Sequence, residues 1–444
     1  MGRCAVSTQK QKRPFALRAL AAFAGTLAIL FVLLLAAYAL PGERVRQHVY
    51  DSARTIQNEG LYPEYLGFKL FQMDNYTDTL MLFEAASADE LPPLQAMMTN
   101  TAYNVDNFET LADDLAWYIE KDWSTGVQRT DAPALEPFSY ARYWHGYLIW
   151  LRPLLLLMPY TGVRIVQYIV LFALLAVVLV QLRRRCGLRA AVWFAVSQLA
   201  VSVWFVPHQV QYFTCFMIAY VGCAWVLAKP RRSDVLCLGL LVLGTATAFC
   251  DLLVTPIITL GLPLTCWLLE PQQRLRGGVP QCALAVGGSL CWGTGYALCW
   301  AGKWALAGAV TNNNVLADAL HQAKVRTTAD TWHGMELTWR NVFIFLYDTL
   351  NNHHLFWPAL AVLAVLIALF ILSIRSKTAL VRALPLALTT CMTPAWFVLL
   401  RTHSIQHGWF TWRALGLTVF AGLAFLYYAC DLRAARRRLQ KGSI

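Results

Sequence analysis

The sequence predicts an all-α fold, a polytopic bundle of transmembrane helices with about ten spans and a small helical extracytoplasmic cap. Two observations predict this class. Of the 444 residues, 58% are hydrophobic and only 14% are charged, and mean hydropathy is +0.46. Soluble domains are usually about 25% charged. Apolar runs long enough to cross a bilayer also recur along the whole length.

The spans follow one another along the chain from a basic N-terminus. The first span is longer than the apolar core of a signal peptide, so we interpret it as an uncleaved anchor. The predicted spans are residues 16–40, 163–182, 188–206, 210–228, 235–250, 252–269, 282–306, 355–374, 380–400 and 412–430. The apolar stretch 150–159 is short and contains proline, which favours a re-entrant or interfacial segment.

Charge is sorted along the chain, and this sorting predicts the orientation of the spans. The net charge is +12, and basic residues cluster in the short polar breaks, for example at residues 183–185. In contrast, 17 of the 25 acidic residues lie between positions 41 and 143. Under the positive-inside rule we expect a multi-pass protein of the cell membrane with cytoplasmic N- and C-termini. The dispersal of the basic groups argues against nucleic acid as a partner.

The spans divide the chain into membrane and polar segments. We expect a cytoplasmic N-terminus at 1–15, an anchor at 16–40, an extracytoplasmic loop with short helices at 41–145, a transmembrane bundle at 146–306, a second extracytoplasmic loop at 307–354, a further bundle at 355–430 and a basic cytoplasmic tail at 431–444. Helix-like apolar spacing at Leu66, Leu70 and Met73 predicts that the first loop is folded.

Two carboxylates in the first loop are the strongest candidates for chemistry. Asp74 and Asp78 lie four residues apart, which would place both on one face of a helix. Carboxylates held at a membrane surface suggest catalysis or ion binding. The alternative is a pair of solvated acids in a polar loop.

Two further residues on the predicted outer side are candidates for substrate binding. Asp251 separates two apolar runs, where a carboxylate is costly unless it is hydrated or paired. Its alternative role is that of a loop acid or a structural partner for Lys303 or Arg401. His145 begins the short apolar stretch and is a candidate acid, base or hydrogen-bonding anchor, with a satisfied structural histidine as the alternative.

Residues 401–413 are dense in groups that bind phosphate. Arg401 and Arg413 carry guanidinium forks that match phosphate oxygens, and His403 and His407 lie between them. The spacing of the histidines suits a metal pair, but no glutamate follows His403 as in the zinc-protease pattern. The cofactor is therefore unknown, with a divalent metal ion left open. An outer loop with interfacial aromatic residues is the alternative.

The arrangement resembles the GT-C class of polytopic membrane glycosyltransferases and is similar to bacterial integral membrane proteins without an assigned activity. The resemblance lies in an inside N-terminus, one span, a large outer loop that begins with acidic residues, and many further spans. GT-C enzymes use polyprenyl-phosphate-linked sugars and keep a catalytic Asp or Glu in the first outer loop. The matching residues are Asp74 and, less closely, Asp78, because their D-x-x-x-D spacing is not an adjacent pair.

The resemblance implies transfer of a sugar from a polyprenyl-phosphate donor to a glycan or lipid acceptor of the cell envelope. Asp74 would be the catalytic base, Asp78 would position the acceptor or a metal, Arg401 and Arg413 would hold the lipid phosphate, and Asp251 would complete the cleft. Two other functions remain open: a transporter or flippase of lipid-linked glycans, and a non-catalytic subunit of envelope assembly. Nearly charge-free span interiors favour surface chemistry over transport.

Overall fold

A computed structural model describes residues 14–88, 90–103, 108–114, 137–274, 278–328, 331–332, 335–336, 338, 340–344 and 356–431. The predicted cytoplasmic N-terminus and the basic tail lie almost entirely outside these residues, and so does part of the predicted loop 307–354.

The described part of the chain is helical almost throughout. Its helices are α1 (Phe15–Tyr38), α2 (Glu43–Glu59), α3 (Asn75–Ser87), α4 (Pro93–Thr99), α5 (Leu148–Leu155), α6 (Tyr160–Cys186), α7 (Leu188–Ala200), α8 (Val210–Ala228), α9 (Ser233–Cys250), α10 (Ile257–Leu268), α11 (Pro271–Arg274), α12 (Gly278–Thr311), α13 (Val315–Thr328), α14 (Phe356–Ser373), α15 (Lys377–Leu399), α16 (Arg401–Gln406), α17 (Gly408–Thr411) and α18 (Leu415–Ala429). The strands in these residues form two short antiparallel pairs, β1 (Thr101–Tyr103) with β2 (Pro137–Ser139) and β3 (Thr331–Trp332) with β4 (Met335–Glu336). The all-α prediction is therefore confirmed.

Within the described residues, seven helical stretches are long and apolar enough to cross a membrane. They are α1, α6, α8, α9, α12, α15 and the stretch Gly408–Ala429 that contains α17 and α18. Large hydrophobic side chains such as Ile29, Ile165 and Ile169 are exposed on α1 and α6, as expected of helices that face lipid. The protein is thus helical and membrane-embedded.

The predicted span 188–206 ends early in the structure. Helix α7 has 13 residues and stops at Ala200, after which Ser202 adopts a left-handed φ of 54°. A 3₁₀ turn over Val203–His208 follows. Pro207 lacks an amide hydrogen and disfavours helical backbone at the residue before it, so a regular helix cannot continue to position 206.

The predicted span 252–269 begins late in the structure. Helix α10 has 12 residues and starts at Ile257, directly after Pro256. The preceding residues form a turn because the Asp251 carboxylate accepts a hydrogen bond from the Val254 backbone N–H. Proline is well tolerated at the start of a helix, because the backbone N–H that it lacks would have no hydrogen-bond partner within the helix there.

The apolar stretch 150–159 does not form a spanning helix. Helix α5 has 8 residues, about 12 Å of helix, which is well short of a bilayer. Arg152 on this helix is buried and donates to the Tyr38 and Leu40 carbonyls at 3.3 and 2.9 Å. These bonds tie α5 to the end of α1.

One end of the bundle gathers many of the basic breaks. The starts of α1 and α9 meet where Arg18 donates to Asp234 at 2.8 Å. The end of α6 contacts Glu270, which lies two residues after α10, because Arg185 donates to Glu270 at 2.9 Å. We call this the basic end. The sorting of charge in the sequence therefore has a counterpart in the fold.

The opposite helix termini meet at a second end, which we call the acidic end. The starts of α6 and α8 both contact Asp78, through Tyr160 and Val210. Near the end of α12, Lys303 is buried and donates to Asn100 Oδ1 at 2.6 Å. Helices α2, α3 and α4 and the β1–β2 pair belong to this end.

Candidate functional site

Asp74 caps helix α3 at the acidic end. It precedes the helix, so the expectation that Asp74 and Asp78 share one helix face is corrected: only Asp78 lies within α3. The Asp74 carboxylate accepts hydrogen bonds from the Thr77 backbone N–H at 3.0 Å and from its hydroxyl at 2.9 Å. Its own N–H donates to Gln209 Oε1 at 2.8 Å. These bonds hold the carboxylate in one position.

Two aromatic rings and an amide lie close to the buried Asp74 carboxylate. Burial raises the pKa of Asp74, and the hydrogen bonds from Thr77, together with the proximity of the polar groups of Gln211 and Trp409, partly offset this rise. Neither Gln211 Nε2 nor Trp409 Nε1 completes a hydrogen bond within the described part of the chain. The Trp409 ring lies 5.8 Å from that of Tyr62, which is 41% exposed. Unused donors therefore surround the predicted catalytic acid.

Asp78 is engaged on both carboxylate oxygens. It accepts from the Tyr160 hydroxyl and from the backbone N–H groups of Val210 at 3.2 Å and Gln211 at 3.4 Å. Burial raises the pKa of Asp78 to about 7, although these bonds and the charge of Arg164 act in the opposite direction. Asp78 thus joins α3 to the starts of α6 and α8, and its predicted catalytic role stays a prediction.

Asp251 combines a free oxygen with a strained turn. It is 2% exposed, and while Oδ2 accepts from Val254 N–H at 3.0 Å, Oδ1 has no hydrogen-bond partner among the described residues. Burial raises the pKa of Asp251 to about 7. Leu253 has a φ of 70°, which is unfavourable for a residue with a branched side chain. Strain and unpaired buried polar atoms are both typical of functional sites.

His403 and His407 lie side by side, with ring centroids 4.7 Å apart. His403 Nε2 donates to the Leu253 carbonyl at 2.8 Å, and the Nδ1 atoms of both rings lack partners in the described residues. Burial lowers both pKa values, that of His407 to about 4, and the nearby positive charge of Arg326 adds to the effect. Both rings are therefore neutral near pH 7, and each has an unused nitrogen.

The two arginines predicted to hold a phosphate differ in their surroundings. Arg413 is buried, donates to the carbonyls of Trp409 and Leu70 at 3.0 Å each, and lies 4.7 Å above the centre of the Tyr212 ring. Arg401 is half-buried at the start of α16, and its Nε has no partner within the described chain. Arg413 fixes the segment before α3 through two of its guanidinium nitrogens, and its Nε, like that of Arg401, has no partner within the described chain. Phosphate binding stays a prediction for both.

His145 is engaged by the protein on both ring nitrogens. Its Nδ1 lies 2.7 Å from Oε2 of Glu84, to which the Tyr147 hydroxyl also donates. Its Nε2 lies 3.1 Å from the Tyr140 carbonyl. These contacts favour a structural anchor over a substrate-binding residue. The sequence reasoning missed Glu84, although an acid within the apolar run Leu-Met-Leu-Phe-Glu-Ala-Ala resembles the signal that identified Asp251.

A cavity of about 130 Å³ lies next to the Asp251 turn. Leu253 forms part of its wall, and Asp251 lies within electrostatic range of Tyr296 in the same wall. The aromatic lining consists of Tyr143, Tyr296, Trp300, Trp304 and Trp396. Arg142 and Arg326 also line the cavity, and Arg326 donates to the Tyr143 hydroxyl at 2.7 Å. The cavity therefore offers aromatic faces and two guanidinium groups to a ligand.

The aromatic wall has a sequence signal that the reasoning from the sequence did not use. Trp292, Tyr296, Trp300 and Trp304 recur every fourth residue on α12, which places them on one helix face. Successive ring centroids are 4.8, 4.9 and 6.0 Å apart. In contrast, no spacing in the sequence points to Arg326, which reaches the cavity because α13 packs against α16.

Unpaired polar atoms connect Asp74 with the cavity, and we call this series the polar trail. Trp409 beside Asp74 lies 5.5 Å from His407, ring to ring, and His407 in turn contacts His403, which binds the cavity-wall residue Leu253. The polar trail consists of five atoms that lack partners in the described chain: Gln211 Nε2, Trp409 Nε1, His407 Nδ1, His403 Nδ1 and Asp251 Oδ1. Because buried polar atoms normally have partners, this series indicates a place for a polar ligand.

The donor set does not match a metal site. Across the described residues, no group of three or more His, Cys, Asp or Glu side chains has the arrangement to hold a metal ion. His403 and His407 supply only two nitrogens.

Comparison of the chain with protein-family models, with curated proteins and with solved structures returns no match.

Proposed function

We propose that this protein is a membrane glycosyltransferase that transfers a sugar from a polyprenyl-phosphate donor to a cell-envelope glycan or lipid acceptor. The proposal rests on the resemblance to GT-C enzymes and on the polar trail beside an aromatic, arginine-bearing cavity. It includes about ten spans, with the acidic end outside and the basic end in the cytoplasm.

The polar trail is the observation that carries the proposal. A sugar presents many hydroxyl groups and one apolar ring face, and its lipid carrier adds a phosphate. Unpaired donors and acceptors suit the hydroxyls, the aromatic wall suits the ring face, and Arg142 and Arg326 suit the phosphate. Few ligands other than a glycosylated phosphate would use all three features together.

In the proposed reaction, the oxygen of an acceptor hydroxyl attacks the anomeric carbon of the donor sugar. A new glycosidic C–O bond forms while the C–O bond to the lipid phosphate breaks, and its electron pair leaves with the phosphate oxygen. The acceptor proton passes to the Asp74 carboxylate, whose raised pKa makes it a better base than an ordinary aspartate. The guanidinium groups stabilise the charge that develops on the departing phosphate.

Asp251 is the second acid of the proposed site. Its unpaired Oδ1 is available to accept a hydrogen bond from a sugar hydroxyl next to the cavity. Its turn also carries Leu253, which holds His403 in place through the Leu253 carbonyl. We therefore assign Asp251 to substrate positioning and Asp74 to proton transfer.

The orientation follows from charge. Arg18, Arg185 and Arg274 lie at the basic end, which the positive-inside rule assigns to the cytoplasm. Alkaline phosphatase fusions within residues 307–354 should then be active outside, and fusions after residue 431 should be inactive. The reverse pattern would put the polar trail on the cytoplasmic side and contradict the proposal.

The experiment that tests the function is a transfer assay on purified variants. Labelled polyprenyl-phosphate sugar is supplied with a lipid-extract acceptor, and initial rates are compared for wild type, Asp74→Asn, Asp251→Asn and the control Glu43→Gln. Glu43 is an exposed acid at the same end, at the start of α2. We expect Asp74→Asn to lower kcat by roughly 10²–10⁴-fold, the usual contribution of a general base.

Asp251→Asn should mainly raise KM, and Glu43→Gln should change neither constant. If Asp251→Asn abolishes turnover and Asp74→Asn does not, the base is Asp251 and the assignment of roles is wrong. Full activity of both variants would refute the proposed active site.

A further inference from the structure

A pair of cavities at the basic end carries a second, separate site. One cavity, of about 450 Å³, lies between α11, α12 and α15, and the other, of about 520 Å³, lies beside the start of α7. Both are lined by Arg274, Arg375 and Tyr428. Arg382 completes the first cavity and Arg189 the second. Four guanidinium groups therefore border two adjoining spaces.

Two tyrosines hold these arginines in place. Arg274 donates to the Tyr428 hydroxyl and lies 5.1 Å from the centre of that ring, and Arg189 has the same relation to Tyr427 at 5.0 Å. Arg375 lies 5.9 Å from the Tyr427 ring and donates to the Cys430 carbonyl. The rings and hydroxyls orient the guanidinium planes without neutralising their charge.

Few carboxylates face the positive charge in these walls. No Asp or Glu is among the described residues that line either of the two cavities, and Asp431 lines a third cavity that shares Arg189 and Arg375 with them. The nearest buried acid in the sequence, Glu270, is already paired with Arg185 at 2.9 Å. Arg274 Nε and Gln281 Oε1 are buried polar atoms without a partner in the described chain. Clustered arginines with free donors are costly unless an anion binds between them.

We propose that these cavities bind a phosphate-bearing anion, with Arg274 and Arg375 as the shared contacts. Planar guanidinium forks match phosphate oxygens in pairs, and basic pockets between membrane helices at the cytoplasmic side bind anionic lipid headgroups. Exposed apolar residues lie close to these arginines along the chain: Ile371 is four residues before Arg375 and Val381 is one residue before Arg382, which gives a lipid tail a surface to lie on. The same chemistry would also accept a soluble phosphate. The site is independent of the proposed sugar transfer.

The test measures binding by the full-length protein in nanodiscs and in detergent. Nanodiscs of phosphatidylcholine receive increasing phosphatidylglycerol, and the thermal midpoint and the lipid retained in native mass spectrometry are recorded. A second arm titrates inorganic phosphate in detergent at constant ionic strength. Saturable stabilisation by the lipid identifies a headgroup site, and saturable stabilisation by phosphate alone identifies a soluble ligand.

The decisive variant is Arg274→Gln combined with Arg375→Gln, with Arg184→Gln as the matched control. Arg184 is exposed at the same end but lines neither cavity. The double variant should bind the anion about thirtyfold more weakly. This factor corresponds to losing the binding free energy that two arginines usually contribute near an anionic surface. The control should stay within about twofold of wild type, because one exposed charge contributes little once salt screens it.

Equal losses of affinity in the double variant and in the control would mean that only general electrostatic attraction holds the anion. That result would overturn the proposed site. So would unchanged binding in the double variant, or no saturable binding in either arm. If the glutamine variant does not fold, Arg274→Lys with Arg375→Lys replaces it. Lysine keeps the charge and loses the fork, so binding should weaken by a smaller but measurable factor, and wild-type affinity would contradict the proposal.

Discussion

Asp78 supports a sharp prediction, because its contacts separate a structural role from a catalytic one. Three buried donors point at its carboxylate: the Tyr160 hydroxyl and the backbone N–H groups of Val210 and Gln211. Asp78→Ala would leave all three without an acceptor. A buried donor left unpaired costs about 1–3 kcal/mol, and the two backbone bonds are long, so we take values near the lower limit and expect a loss of about 3–5 kcal/mol.

Asp78→Asn should cost far less, since its amide oxygen can still accept from the Tyr160 hydroxyl and one backbone N–H. We expect a loss of about 1 kcal/mol, and turnover within tenfold of wild type. The assay is unfolding in mixed micelles at pH 6, followed by tryptophan fluorescence, with transfer rates measured on the same preparations. The low pH keeps the wild-type carboxyl largely protonated and comparable with asparagine.

Two results would refute this reasoning. Wild-type stability of Asp78→Ala would mean that the carboxylate does not hold α8 as its contacts indicate. A loss of turnover above about 10²-fold in a fully stable Asp78→Asn would make Asp78 a catalytic residue after all.

Two further predictions concern stability. The pKa of Asp78 is raised on folding, so the folded state binds this proton more tightly than the unfolded state, and the stability that it contributes is lost as pH rises through about 7. Wild type should therefore lose stability relative to Asp78→Asn between pH 5 and 8, by about 2–3 kcal/mol, and parallel pH profiles would contradict this. Lys303→Met should destabilise the protein by about 3–5 kcal/mol, because it leaves three buried acceptors, Met97 O, Met98 O and Asn100 Oδ1, without the ammonium that bonds them, whereas Lys229→Met, a change at an exposed position after α8, should leave unfolding unchanged.

The fold class was predictable because apolar runs report burial in lipid directly. Helix α8 matches its predicted bounds, and α9 starts only two residues before the predicted span. The errors at 188–206 and 252–269 arose where the chain turns within an apolar run. Ser202 and Leu253 take left-handed backbone there, and hydropathy carries no information about φ.

Some members of the candidate site were predictable from the sequence, but its other members and its contacts were not. Asp251 and His403 were identified because polar side chains in apolar surroundings are conspicuous in any sequence. Their neighbours were not, since His403 meets the Leu253 carbonyl across 150 residues and Arg413 reaches Leu70 across 343. A single sequence holds no record of such long-range contacts, so the polar trail became visible only in the fold.

The claim of sugar transfer is tested most directly by following one label in proteoliposomes of the purified protein. A polyprenyl phosphate carrying a radiolabelled sugar is incorporated with an extract of envelope lipids, and the products are separated by chromatography. The account predicts that label moves from the polyprenyl carrier to a second lipid or glycan, and that Asp74→Asn stops this movement. Label that stays on its carrier while crossing the bilayer would contradict the account and identify a transporter of lipid-linked sugars instead.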